Sequence, residues 1–112
     1  MARPEIARTL NRPKVRVLGA GESPRGQNGG KVDLTTTGAR WSGAAAFEEA
    51  GVKPSDIQYA SIYDSFTITV LLQLEDLGFC EKGKGGAFVA DGNLIAGSGK
   101  LTSRRVSLPL RV

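Results

Sequence analysis

Polar and apolar residues alternate over Lys14-Val15-Arg16-Val17-Leu18, a β-branched run ending at Gly19-Ala20-Gly21, and this pattern predicts a strand. Glu22 to Asp33, with Ser23, Pro24, Gly26, Asn28, Gly29 and Gly30, reads as a surface loop. Thr35 to Thr37 can cap a helix carrying Trp41, Ala44, Ala45 and Phe47 at helical spacings. Gly51 closes that helix as a left-handed cap, with Pro54 three residues on. Ser55-Asp56 then opens a turn into a short strand, Ile57 to Tyr63. Asp64 or Ser65 caps the next helix, which runs to Leu77 and stops at Gly78. Phe66, Val70, Leu74 and Leu77 form its main apolar stripe, and Ile68, Leu71 and Leu72 widen it until the middle of the helix is apolar nearly all round. Ala87-Phe88-Val89 and Asn93-Leu94-Ile95 flank Asp91-Gly92, which predicts a hairpin.

The resulting order, β-loop-α-β-α-ββ, predicts an α/β fold: a mixed sheet with helices and at least one parallel strand pair. Such a sheet would be well covered on one face only. A helix that is apolar all round needs cover on more than one side, and a single small domain has little material to supply it. The expectation is one incomplete domain, a piece of something larger.

Composition narrows the chemistry. The 112 residues contain no histidine and one cysteine. A Ser–His–Asp triad, a Cys–His pair and any His-containing metal site are therefore excluded within this chain, as are an internal disulfide and a cysteine cluster for zinc. The net charge of +4 suggests a nucleic-acid partner until it is located: residues 1–99 balance, and Lys100, Arg104, Arg105 and Arg111 carry the whole excess. A short basic tail without an interleaved aromatic platform predicts no nucleic-acid partner. No stretch approaches the ~20 apolar residues of a membrane span, and Met1 to Arg16 lacks the apolar core of a signal peptide. A cytoplasmic protein is the expectation; the Arg-rich start leaves a mitochondrial address open, and a peroxisomal one stays open too.

Several motifs have a plain reading beside a chemical one. Gly19-Ala20-Gly21-Glu22-Ser23-Pro24 starts like a dinucleotide fingerprint, but Pro24 takes the third glycine position, so a strand-ending turn is expected. Gly97-Ser98-Gly99-Lys100 fails as a phosphate loop, because Leu94 and Leu101 occupy the flanking Gly and Ser/Thr positions. Cys80 lies just past a helix C-terminus beside Glu81, where the local field opposes a thiolate, and reads as structural. Tyr63-Asp64-Ser65-Phe66 ends a strand and begins a helix, the corner where open α/β proteins place their sites. The plainer reading makes Asp64 a helix cap and Phe66 a packing residue.

The run Asp56-Ile57 through Tyr63-Asp64-Ser65-Phe66-Thr67-Ile68-Thr69-Val70-Leu71-Leu72, then Leu74 to Cys80 and Gly85-Gly86-Ala87-Phe88-Val89, resembles the C-terminal domain of sterol-carrier-type thiolases, often labelled acetyl-CoA acetyltransferases. Ala50-Gly51-Val52, Pro54 and Leu18 to Glu22 fall in the same order as in that domain. The resemblance covers roughly residues 10–99. It implies half of a two-lobed thiolase fold, acyl transfer through a cysteine thioester by Claisen condensation or thiolysis, coenzyme A thioesters as substrates, and no metal or redox cofactor. In thiolases an Asn-Glu-Ala-Phe block lies at this strand-to-helix corner, and its first residue helps hold the water that stabilises the thioester oxyanion. Tyr63 takes that first place, Asp64 and Phe66 match in kind, and Ser65 replaces the alanine. The resemblance therefore implies a substrate pocket at Tyr63, Asp64, Ser65 and Phe66, with no catalytic residue in this chain.

The family's nucleophilic cysteine comes from the N-terminal half, and its histidine from glycine-rich segments further on. The sequence from Leu101 to Val112 departs from the family pattern close to where the charge balance breaks. The expected division is a lead-in at 1–13, a thiolase-like segment at 14–99 and an unrelated basic tail at 100–112, which a reading-frame change near residue 100 would explain. The expectation is a fragment of a thiolase-like acyl-CoA C-acyltransferase, inactive alone. The alternative is a non-catalytic thiolase-like subunit that binds a partner chain. Either way the partner is another thiolase-like chain or the missing half.

Overall fold

The computed structural model describes residues 2–24, 33–57 and 59–95, and the backbone of Arg105–Ser107. The Gly97–Lys100 motif and most of the basic tail lie outside the described residues. The order is α1 (Pro4–Thr9), α2 (Ala39–Ala50), a 3-10 turn (Pro54–Asp56), β1 (Tyr59–Ser61), α3 (Thr67–Asp76), α4 (Gly85–Ala90) and β2 (Arg105–Ser107). The two strands pair in parallel, Tyr59 opposite Arg105 and Ser61 opposite Ser107. The α/β character holds, and among the described residues the sheet consists of these two short strands.

Both principal helices end as their glycines dictate. Gly51 adopts φ +66°, and the N–H of Val52 returns to the Phe47 carbonyl at 3.1 Å. Gly78 adopts φ +79°, and the N–H of Phe79 returns to Leu74 at 2.9 Å. In each case the left-handed glycine lets the chain reverse and satisfy a terminal carbonyl. The start of α2 is also as expected: the Thr37 hydroxyl accepts the Ala39 N–H at 3.2 Å.

Five expectations need correction. Lys14–Leu18 is not a strand. It has no ladder partner among the described residues, so Val15 is 95% exposed and Val17 and Leu18 stand open. Gly19 and Gly21 are not a turn either. A Cβ at Gly19 would lie 2.2 Å from the Ala46 carbonyl oxygen, and one at Gly21 would lie 2.0 Å from that of Ser42. Alternate residues of an extended chain are about 6.6 Å apart and one helical turn rises about 5.4 Å, so two bare backbones can lie flush along α2. The Ala20 N–H between them donates to Glu49 Oε2 at 2.8 Å.

Among the described residues, the strand expected over 57–63 pairs at 59–61, opposite Arg105–Ser107. The expected hairpin is absent: Ala87, Phe88 and Val89 belong to α4, and Gly92, at φ +79°, turns the chain after a helix. Neither Asp64 nor Ser65 caps α3, whose first residue follows an extended Phe66; the Ser65 hydroxyl donates to the Thr69 hydroxyl at 3.1 Å.

Among the described residues the core is Ile62, Val70, Leu74 and Phe79, with Ile57, Leu77, Phe88 and Val89 packed around it. Thus the inner edge of α3 meets α4 and the end of β1, while Phe66 and Ile68 remain exposed. Gly43 lets α2 sit close to α3, since a Cβ there would meet Leu77 Cδ2 at 2.4 Å.

Leu74 is completely buried, so Leu74→Ala is expected to cost about 2–5 kcal/mol, read as a lower urea midpoint. Gly21→Ala should lift the 19–23 segment from α2 and speed hydrogen exchange at the Ala20 amide roughly tenfold, leaving the amides of α3 unchanged.

Candidate functional site

An open cleft of about 590 Å³ lies between the 33–38 loop and the first two turns of α3. Leu34, Thr36, Thr37 and Gly38, with Ser23 beside them, form one wall. Ser65, Phe66, Ile68, Thr69, Leu72 and Gln73 form the other. None of these lining residues is charged. The surface combines aliphatic and aromatic carbon with several hydroxyls, which suits a neutral, largely apolar group and offers no strong acid or base.

The 33–38 wall is held by side chains outside the cleft. Asp33 organises its turn, accepting from the Thr35 N–H at 2.8 Å and from the hydroxyls of Thr35 and Thr36 at 2.6 and 3.0 Å. Those donors, the Thr35 hydroxyl foremost, keep the Asp33 carboxyl below its ordinary value. Further on, Asp76 Oδ2 accepts both the N–H and the hydroxyl of Thr37, at 2.6 and 2.9 Å. Lys82 Nζ donates to Asp76 Oδ1 at 2.8 Å and also to the Thr35 carbonyl. The Asp76 side chain is only 1% exposed.

Glu75 serves the next element in the same way. Its Oε1 accepts the Gly85 N–H at 2.8 Å, supplying a cap to α4 from ten residues away, and its Oε2 lies 3.5 Å from Lys82 Nζ. The N–H groups of Gly83 and Gly85 hold its carboxyl below the ordinary glutamate value of 4.5, with Lys82 assisting and burial opposing. Burial, and then the Glu75 carboxylate, push the Cys80 thiol up against a weaker pull from Lys82. Cys80 is therefore a protonated, half-buried thiol, poorly suited to nucleophilic attack.

Of the four residues expected to form a pocket, Ser65 and Phe66 line the cleft. Tyr63 and Asp64 are exposed at the preceding corner and do not line it. Tyr63 is 78% exposed, and its carbonyl accepts from Gln73 Nε2 at 3.5 Å. Sequence reasoning missed the opposite wall and the Asp76–Lys82 support. A signal was present: Glu75-Asp76 places two carboxylates at the negative end of a helix dipole, an arrangement that demands donors from elsewhere.

Residues 21–104 match the family described as thiolase C-terminal domain-like. A steroid side-chain-cleaving aldolase of Thermomonospora curvata is 51% identical over 55 residues, covering 49% of this chain and 14% of that protein. An acetyl-CoA acetyltransferase of Methanothermobacter thermautotrophicus is 42% identical over 62 residues, covering 55% of this chain and 15% of that protein. Among solved structures, a chain of the Ltp2-ChsH2(DUF35) aldolase superposes with a TM-score of 0.75 at 35% identity, covering 94% of this chain and 28% of that one. This chain thus spans a small part of the length of each. Among the described residues, no helix is long and apolar enough to cross a membrane.

The Glu75 bonds give a pH prediction. The folded carboxyl titrates below the unfolded one, so between the two values the unfolded chain binds more protons and stability rises with pH. The stabilisation is complete above pH 4.5 and is lost as pH falls through the lower folded value. Thermal melts should show a midpoint that drops on acidification below that point. Glu75→Gln should flatten the drop and cost roughly 1 kcal/mol at neutral pH.

Proposed function

The chain belongs to the thiolase C-terminal domain-like family, and from that premise we propose that it supplies one wall of a site where a carbon–carbon bond beside an acyl-CoA thioester is made or broken. The observation that carries this reading is the uncharged cleft, one wall of which begins with Ser65 and Phe66 of the strand-to-helix block. The acyl group occupies the cleft, where each buried methylene contributes about 0.8 kcal/mol. A thiolate nucleophile and an imidazole base would come from polypeptide outside these 112 residues, since this chain has no histidine and its one thiol is held protonated. Residues 14–99 form the working segment in this reading, with 1–13 leading in and 100–112 as a basic extension.

The partner is the remainder of a thiolase-like assembly. Val15, Val17, Leu18, Tyr59, Tyr63 and Ile68 present apolar or aromatic surface to solvent, and a second thiolase-like chain or lobe would cover it.

Position 63 favours aldol-type over Claisen-type chemistry. An amide at this corner can orient water but has no ionisable proton, whereas the Tyr63 phenol carries one O–H that can be donated. Aldol cleavage of a β-hydroxyacyl thioester removes the proton of the β-hydroxyl and breaks the Cα–Cβ bond. It leaves a carbonyl at Cβ and an enolate that is reprotonated at Cα. No thiol is acylated, so a proton-carrying residue is the essential requirement. The greater identity with the aldolase than with the acetyltransferase, 51% against 42%, supports the same choice.

Titrating the 112-residue chain with decanoyl-CoA should give saturable NMR shifts confined to 34–38 and 65–73, with no thiolysis of acetoacetyl-CoA by the chain alone. Phe66→Ala should weaken binding roughly fivefold through lost apolar contact. No saturation, or shifts elsewhere, would remove the acyl-site reading. In an assembly with a thiolase-type protein supplying the rest of the site, Tyr63→Phe should lower aldol cleavage about a hundredfold or more and leave decanoyl-CoA affinity unchanged. Equal loss of thiolysis and aldol cleavage would count against the aldol assignment.

A further inference from the structure

Asp76 does not line the cleft, yet it holds one of its walls. It is the last residue of α3, and the first two turns of that helix form the opposite wall. The 33–38 loop is therefore hung from the far end of the helix it faces, through both Thr37 bonds to Oδ2 and through Lys82, which joins Oδ1 to the Thr35 carbonyl. A helix of ten residues is a rod about 15 Å long, so anchoring the loop to its end fixes the distance between the walls.

We infer that Asp76, with Lys82 as its countercharge, is a positioning residue that sets the width of the cleft and so selects the breadth of the acyl group admitted. The inference rests on the reading of the cleft as an acyl site. Both carboxylate oxygens accept from donors, so neither can be exchanged for an NH2 group without pointing donor at donor. Asp76→Asn is close to isosteric and still cannot satisfy Thr37 and Lys82 together. Lys82→Arg keeps the charge and the donors and should preserve the arrangement.

The test uses the full 112-residue chain with Cys80→Ala. Spin labels at Leu34→Cys and Ile68→Cys, one exposed residue on each wall, report the separation directly. Decanoyl-CoA and 2-naphthoyl-CoA serve as narrow and broad probes for the chain without the labelling cysteines. The distance distribution should be narrow in the parent and with Lys82→Arg, and about twofold broader with Asp76→Asn. The two probes should differ in Kd about tenfold in the parent, and that ratio should fall to within about twofold in Asp76→Asn while surviving Lys82→Arg. A purely structural role would lower the melting midpoint and weaken both probes in proportion, leaving the ratio intact; that result overturns the inference. Binding without discrimination by the parent, or an unchanged distance distribution in Asp76→Asn, overturns it as well. If neither probe binds the parent saturably, the acyl reading fails and the selection fails with it.

Discussion

Two adjacent carboxylates at the C-terminal end of α3 constrain everything around them. Glu75 and Asp76 sit where the helix dipole is negative and where little water reaches, with side chains 8% and 1% exposed. Uncompensated, a buried carboxylate in such a field costs several kcal/mol. Compensation comes from three directions: Thr37 at the entrance to α2, Gly85 at the entrance to α4, and Lys82 from the connecting turn. Each donor belongs to a different segment, so satisfying the charges also assembles the segments. The apolar core then closes from the inner side of the same helix through Val70 and Leu74. The polar and apolar halves of the fold share α3 as their axis.

This arrangement explains which parts of the fold were legible in the sequence. Signals whose cause is local held: Gly51 and Gly78 end helices because their own φ angles permit reversal, and Thr37 caps α2 from two residues away. Signals whose meaning depends on a distant neighbour did not. The alternation over 14–18 has the period of a strand, but a strand exists only with a partner, and the described residues provide none. Asp91-Gly92 has the composition of a hairpin turn, yet Glu75, ten residues before Gly85, caps the segment that precedes it as a helix. Gly19 and Gly21 looked like punctuation, whereas their function is to lack a side chain against α2.

The candidate site divides along the same line. Ser65 and Phe66 were legible because a strand-to-helix corner is a local pattern that the family resemblance also marks. The facing wall was not, because Leu34 to Gly38 come to the cleft through bonds to residues 39 and 47 positions further along. A chain read from end to end shows three threonines in a row and suggests a cap. Their second role emerges only when Asp76 and Lys82 are set beside them.

An uncharged wall without a nucleophile is a coherent object when the rest of the chemistry is carried by different polypeptide. The described lining residues are uncharged, the cysteine is held as a thiol, and apolar side chains at the 14–18 segment and along the outer side of α3 face solvent. Covering those side chains removes apolar area from water, which gives association its driving force. The same cover would exclude water from the cleft and strengthen each polar contact made there. Tyr63 stands exposed at the corner next to the cleft wall, and in the aldol reading proposed above its phenol is the group a covering lobe would turn toward substrate. Assembly would then bring the proton carrier and the acyl wall into one dry volume.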